Sequence, residues 1–306
     1  MNLTNKRVLV FGGGFIGGNL IHLLAKNGAQ VSCFDHKPME WHHPAIRHIT
    51  GNFFDFEQVK KALEQADVVV HTISTIAPGS SRLQYMQGYE RDFLSSLRML
   101  DEAAKQGIRV LFLSSGGTVY GESGAMRIPE SAPLNPINHY GCVKVCIEQV
   151  MRQFRREGAD FRIARISNAY GPGQNYLGGV GFIDAATKCA CTGKSVQIWG
   201  DGENIRDYIY IDDICEILMR YLQYDGPEAI VNVGTGIGTT QNEVVALLKE
   251  HFPDMQAQYL SRRDVDVTRN VLDSTLCERL FGVKTLPIRE GIARCIDAVE
   301  DSRSIK

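Results

Sequence analysis

The sequence predicts an α/β fold built on a doubly wound parallel sheet. Three observations carry that expectation. Short β-branched runs alternate with helical patterns through the first half, the runs read as strands buried on both faces, and the first of them empties into a glycine turn followed by a helix.

Taken in order, the predicted strands are residues 7–11, 30–35, 46–49, 68–72, 110–114 and 161–166, with crossover helices in the gaps. After about Asn168 the texture changes. Residues 171–181 form a glycine-rich loop of the kind that borders a site, and 198–202 reads as a strand ending in a turn. Residues 230–233, followed by Gly234, Thr235 and Gly236, read as another strand of the main sheet. The expected organisation is therefore a first domain of residues 1–168 with a return segment at about 208–236. A smaller, interleaved C-terminal lobe takes 169–207 and 237–306. No internal repeat or low-complexity linker interrupts the chain.

Composition narrows the function classes. With 306 residues, 44% of them hydrophobic and 22% charged, the chain is long enough for one large core or two lobes. A net charge of -2 provides no electrostatic excess for nucleic acid or an anionic membrane, so any anion must be held by local contacts. The eight cysteines are scattered without C-x-x-C spacing, which suits free thiols in a reducing compartment. The N-terminus runs directly into a strand-like segment and no apolar stretch reaches the ~18 residues of a membrane span, so the reading is cytoplasmic.

Gly12, Gly14 and Gly17, with Phe15 and Ile16 inside the spacing, match G-x-G-x-x-G between a strand and a helix. That arrangement sets a pyrophosphate on a helix N-terminus, the signature of a Rossmann-like domain. Asp35 closes the next strand 18 residues after Gly17, where a carboxylate accepts hydrogen bonds from both adenosine ribose hydroxyls. This selects NAD, although His36 and Lys37 stand close enough to leave NADP open.

Tyr140 and Lys144 lie four residues apart and so share one helix face. An ammonium beside a phenol favours the phenolate, and the expectation is that Lys144 pulls Tyr140 down from ~10 towards working pH, making a base for a sugar or alcohol hydroxyl.

These residues resemble the extended short-chain dehydrogenase/reductases, in particular their NAD-dependent nucleotide-sugar epimerases and dehydratases. The likeness rests on the glycine turn, Asp35, residues 114–121, Tyr140 with Lys144, residues 165–173 and residues 205–213. It implies that Tyr140 is the catalytic base, while Lys144 tunes it and binds the nicotinamide ribose. It further implies that Asn52 and Phe53 flank the adenine, and that Thr72, Ile73 and Ser74 line the cofactor. The family usually has aspartate at Asn52 and asparagine at Asp92.

Two further departures bear on chemistry. The glycine turn is one residue shorter than is common in the family, so the phosphate contacts should be rearranged. The family serine or threonine that hydrogen-bonds the reacting hydroxyl is replaced by Gly116, with Thr118 the first candidate to substitute for it and Ser115 the second. Gly117 and Thr118 also stand where the family's dehydratases carry an acid, which points to reversible oxidation and so to an epimerase.

The resemblance assigns Arg206 and Arg263 to a diphosphate, Asp266 to the nucleotide ribose, Asn168 to the diphosphate and Trp199 to stacking on uracil. The substrate implied is a UDP-linked sugar. Asn270, four places after Asp266 and smaller than tyrosine, implies room for an N-acetyl group. The expected reaction is 4-epimerisation of a UDP-hexose or UDP-N-acetylhexosamine through a transient 4-keto sugar, by a homodimer joined through the helices after the fourth and fifth strands. Two alternatives stand beside it: a nucleotide-sugar 4-keto reductase or dehydrogenase, and a dinucleotide-sensing regulator without catalysis.

Overall fold

The computed structural model describes residues 1–37, 45–79, 81–174, 181–261 and 267–304. Seven parallel strands form the main sheet: β1 (Arg7–Phe11), β2 (Gln30–Asp35), β3 (Ile46–Thr50), β4 (Val68–His71), β5 (Arg109–Ser115), β6 (Phe161–Ile166) and β10 (Ile230–Val233). Their order is β10-β6-β5-β4-β1-β2-β3. The chain departs in opposite directions from β1 and β4, and the carboxyl ends of those neighbours open a crevice at this switch point.

Residue alternation within the strands divides the core. Val8 and Val10 face α1 (Phe15–Lys26) and α7 (Ile211–Gln223), where Leu20, Ile21, Leu24 and Ile214 are buried. Leu9 and Phe11 face the other way, against α2 (Phe56–Leu63), α4 (Leu94–Lys105) and α5 (His139–Arg156), through Val59, Met99 and Val143. Both faces being covered is why the central strands β1, β4 and β5 are largely apolar.

Between β4 and α4 lie α3 (Ser81–Gln87) and a π-helical segment, Gly88–Phe93. The predicted strand at 198–202 is displaced: β8 is Val196–Trp199, and Gly200 and Gly202, at φ of +86° and +81°, make the turn after it. It pairs with β12 (Ala257–Leu260). A second small sheet joins β7 (Asn168–Tyr170), β9 (Ile205–Tyr210), β11 (Gly238–Thr240) and β13 (Arg269–Asn270). Helices α6 (Phe182–Cys191), α8 (Gln241–His251), α9 (Thr275–Phe281) and α10 (Ile288–Ser304) complete the chain. Sequence reading assigned no strand to β7, β9, β11 or β13, each too short or too polar to announce itself by period. Among the described residues, no helix is long and apolar enough to cross a membrane.

Candidate active site

The glycine turn is fixed by contact. A Cβ on Gly12, whose φ is +98°, would fall 2.4 Å from Thr72 Oγ1, and one on Gly17 would fall 2.0 Å from the Gly12 carbonyl oxygen. Neither position admits a side chain. A Cβ on Gly14 would meet nothing within 4 Å, because this glycine, the N-cap of α1, borders open space. Thr72 Oγ1 donates to the carbonyls of Phe11 (2.8 Å) and Gly12 (3.1 Å), tying the end of β4 to the turn. In this turn Gly13 N–H donates to Asp35 Oδ2 at 2.7 Å and is held by that carboxylate.

Asp35 Oδ1 also accepts from the Lys37 amide (3.0 Å) and lies 2.9 Å from His36 Nδ1. The carboxylate borders a cavity of about 730 Å³ together with Gly12, Gly14, Asn52, Phe53, Thr72, Ile73 and Ser74. The cradle of missing side chains, the open helix N-terminus and the carboxylate at the far wall fit a dinucleotide. Within that wall Phe53 acts chiefly as packing, edge-on to Phe11 and stacked on His71. Asn52 is a turn residue, its Oδ1 accepting the Phe54 amide at 3.1 Å. Arg91, which sequence reading missed, also lines this cavity, 5.5 Å from the Phe54 ring centroid.

A second cavity of about 590 Å³ brings most of the remaining candidates together: Phe15, Ile16 and Gly17 from α1, Ser115 and Thr118 from the β5 loop, Tyr140 and Lys144 from α5, and Asn168, Trp199 and Arg206. Helix α5 is started by Asn138, whose side chain accepts the Gly141 amide at 2.8 Å, so Tyr140 stands in the first turn with Lys144 one turn behind it.

The electrostatics correct one expectation. Burial pushes the Tyr140 phenol up to about 12, although the neighbouring Ser115 hydroxyl favours the phenolate. Burial likewise pushes Lys144 down to about 8, opposed by the charges of Asp92 and then Glu148. Lys144 Nζ donates to the Leu113 carbonyl at 3.0 Å and lies 4.7 Å from the Phe112 ring centroid and 5.6 Å from that of Tyr140. The ammonium is thus near the phenol but directed elsewhere, and desolvation of the phenolate sets the direction of the shift.

The two hydroxyl candidates now differ. Ser115 meets the Tyr140 phenol, whereas Thr118 Oγ1 lies 3.5 Å from the Ser115 carbonyl and only borders the cavity. Gly116 has a packing reason: a Cβ there would come 2.6 Å from Leu272 Cδ1 and 3.1 Å from the Arg165 carbonyl oxygen. Asn270, expected to border the sugar, is instead fully buried and donates to the Gly116 carbonyl at 3.0 Å, because β13 runs behind this loop.

At the other end of the cavity, Asn168 Nδ2 donates to the Asp207 carbonyl at 3.0 Å. The Asp207 side chain, which sequence reading passed over, receives Thr235 N and Oγ1, Gly236 N and Leu272 N at 2.7–3.2 Å. It locks β9, which carries Arg206, against the turn after β10 and the end of β13. Arg263 and Asp266 lie outside the described residues. Under the site, fully buried Arg165 and Glu148 pair at 2.6 Å, with Ser114 Oγ donating to Glu148 and Arg165 donating to the Tyr120 hydroxyl. Among the described residues no cluster of histidine, cysteine, aspartate and glutamate could hold a metal ion.

Against known proteins, the chain is 28% identical over 303 residues to a putative UDP-glucose 4-epimerase of Methanocaldococcus jannaschii, covering 96% of this chain and 99% of that one. The crystal structure of UDP-glucose 4-epimerase from Thermotoga maritima with UDP-glucose matches with a TM-score of 0.92 at 29% identity, over 97% of this chain and 99% of that one. The complex of UDP-glucose 4-epimerase from Thermus thermophilus with NAD matches at 0.89 and 27%, over 96% and 99%. The model of the NAD dependent epimerase/dehydratase family matches residues 8–234, from the first strand of the sheet to the turn beyond its last. The chain belongs to the NAD-dependent epimerase/dehydratase family.

Proposed function

We propose that this chain catalyses the NAD-dependent 4-epimerisation of a UDP-hexose. The observation that carries the reading is one continuous cavity whose lining includes the N-terminus of α1, the Ser115–Tyr140–Lys144 group, and Trp199 with Arg206. It offers a cofactor seat, a proton-transfer group and an anion-binding end in a single space.

Bound NAD supplies the acceptor, and later the donor, of the hydride at carbon 4 of the sugar. Tyr140, once it has given up its own proton to become the phenolate, takes the proton of the 4-hydroxyl and afterwards returns it. Ser115 orients the phenol and stabilises the phenolate by donating to it. Lys144, seated on the Leu113 carbonyl, supplies positive charge beside it. Arg206 anchors the diphosphate with Asn168, and Trp199 holds the base, which leaves the sugar free to turn over between the two hydride transfers. Arg263 and Asp266 would complete the nucleotide end. Gly117 and Thr118 place no carboxylate in the loop, which disfavours elimination of water.

The enzyme is further proposed to be a homodimer. Leu83, Met86 and Leu94 are exposed on the helical segments between β4 and β5, an apolar face of the kind a partner covers. Its eight free cysteines suit a reducing cytoplasm.

The test is to incubate purified protein with UDP-glucose and, separately, UDP-N-acetylglucosamine, without added NAD, and to resolve the epimers. Formation of a C4 epimer in either arm supports the reading, and the pair of arms identifies the sugar. Absence of epimers, with consumption only of a 4-keto sugar in the presence of added reduced nicotinamide, would replace it with a reductase.

A further inference from the structure

Asp92 is a carboxylate in a place where burial is hard to sustain. It is 3% exposed and lies in the π-helical segment, whose Gly88 packs so closely on α5 that a Cβ there would come 3.1 Å from Val143 Cγ2. Val143 immediately precedes Lys144. The Asp92 side chain is held by neutral donors: Ser74 Oγ at 3.0 Å, Thr75 N at 2.8 Å and Thr75 Oγ1 at 2.7 Å. Ser74 and Thr75 follow β4 and line the adenosine-side cavity.

The other charges around Lys144 are already committed. Glu148, one turn along α5, is ion-paired with Arg165 of β6. His71 of β4 is pushed down to about 3, by burial first and by the Lys144 charge second, so it is neutral; its Nε2 meets Ser96 Oγ at 2.7 Å. Tyr140 is protonated in this environment. Asp92 is left as the carboxylate whose charge Lys144 feels most strongly.

We propose that Asp92 is a positioning residue: its buried carboxylate keeps Lys144 an ammonium beside Tyr140 and couples that charge to the Ser74–Thr75 wall of the cofactor cavity. The inference rests on the catalytic reading of Tyr140 and Lys144 given above. The amide of an asparagine at this position would accept the same hydrogen bonds in part but supply no charge, so the carboxylate is an electrostatic choice. A carboxylate here also makes the phenolate harder to form, and the base consequently operates at higher pH than it would without Asp92.

The experiment titrates Lys144 directly in the purified protein, by the NMR shift of its ε-carbon, assigned with Lys144→Met. Asp92→Asn should lower the Lys144 midpoint from about 8 by ~1 pH unit, the low end of the effect of a nearby opposite charge. Both limbs of the kcat/KM pH profile should move to lower pH with it. Asp92→Glu keeps the charge and should hold the midpoint near that of the wild type. Asp92→Ser is a second neutral variant should the asparagine variant fail to fold. A folded neutral variant with an unmoved midpoint overturns the proposal, as does a glutamate variant that falls as far as the neutral ones. Tyr140→Phe separates the two readings: if it retains turnover the catalytic assignment fails, while the Lys144 titration still decides the role of Asp92.

Discussion

Replacing Gly116 by serine would restore the hydroxyl that the resembling enzymes carry, and the structure says it should do harm. The new Cβ would stand 2.6 Å from Leu272 Cδ1, and 3.1 Å from a backbone oxygen that cannot move without shifting β6. Leu272 is fully buried in a cluster with Val119, Tyr120 and Ile128. Overpacking of this kind costs ~1–3 kcal/mol, and because a leucine terminus can rotate the lower half of that range is expected, about 1–2 kcal/mol. Leu272→Ala alone should cost about 2–5 kcal/mol through the cavity it leaves. Together the two changes should relieve each other, with a coupling of at least ~0.5 kcal/mol. The assay is urea unfolding of the four proteins, reading the midpoint at unchanged slope. Gly116→Ser should give no gain in turnover, since the Ser115 hydroxyl already stands beside the phenol. A serine variant as stable as the wild type, or losses that simply add, would refute the packing explanation.

The remaining expectations concern hydroxyls and a buried acid. Ser115→Ala should lower kcat by at least ~10-fold, as loss of a proton-transfer partner does, whereas Thr118→Ala should change it by less than ~3-fold; initial rates of epimer formation check both, and a reversed ranking would return the role to Thr118. Asp184 is buried in α6, accepts the Gly171 amide at 3.1 Å, and is pushed by burial up to about 7. The folded state therefore keeps a proton that the unfolded chain loses near pH 4, and wild-type stability falls as pH rises from about 4 to 7. Asp184→Asn removes that penalty: it should stabilise the protein by about 2–4 kcal/mol at pH 8 and by little at pH 4, read as unfolding free energy against pH. Equal stability differences at both pH values would contradict the assignment.

What was legible in the sequence is what depends on neighbours along the chain. The strand, turn and helix spanning residues 7–26 follow from local period and from glycines whose missing Cβ atoms the structure explains. The spacing of Tyr140 and Lys144 needs only a helix to place both on one face. Burial was not legible, and it reversed the expected direction of the Tyr140 pKa. Leu272 is distant in sequence from the loop it packs against, so nothing local at Gly116 announced why a serine is absent. Asp207 stood in the sequence only as one residue of the run 205–213, yet it gathers amides from Thr235, Gly236 and Leu272, partners no periodicity connects. Asn270 failed as a pocket residue for the same reason: its place behind Gly116 is set by strand pairing of β13 with β9.

The central claim is that the hydride leaving carbon 4 of the sugar returns to that same carbon, while Tyr140 takes and returns the proton of the attached hydroxyl, within a single cavity. UDP-glucose carrying deuterium at carbon 4, incubated with the purified protein in ordinary water without added NAD, tests it directly. The C4 epimer should appear with its deuterium retained, and Tyr140→Phe should abolish it. Epimer formed with loss of deuterium to solvent, or undiminished turnover by Tyr140→Phe, would contradict the claim.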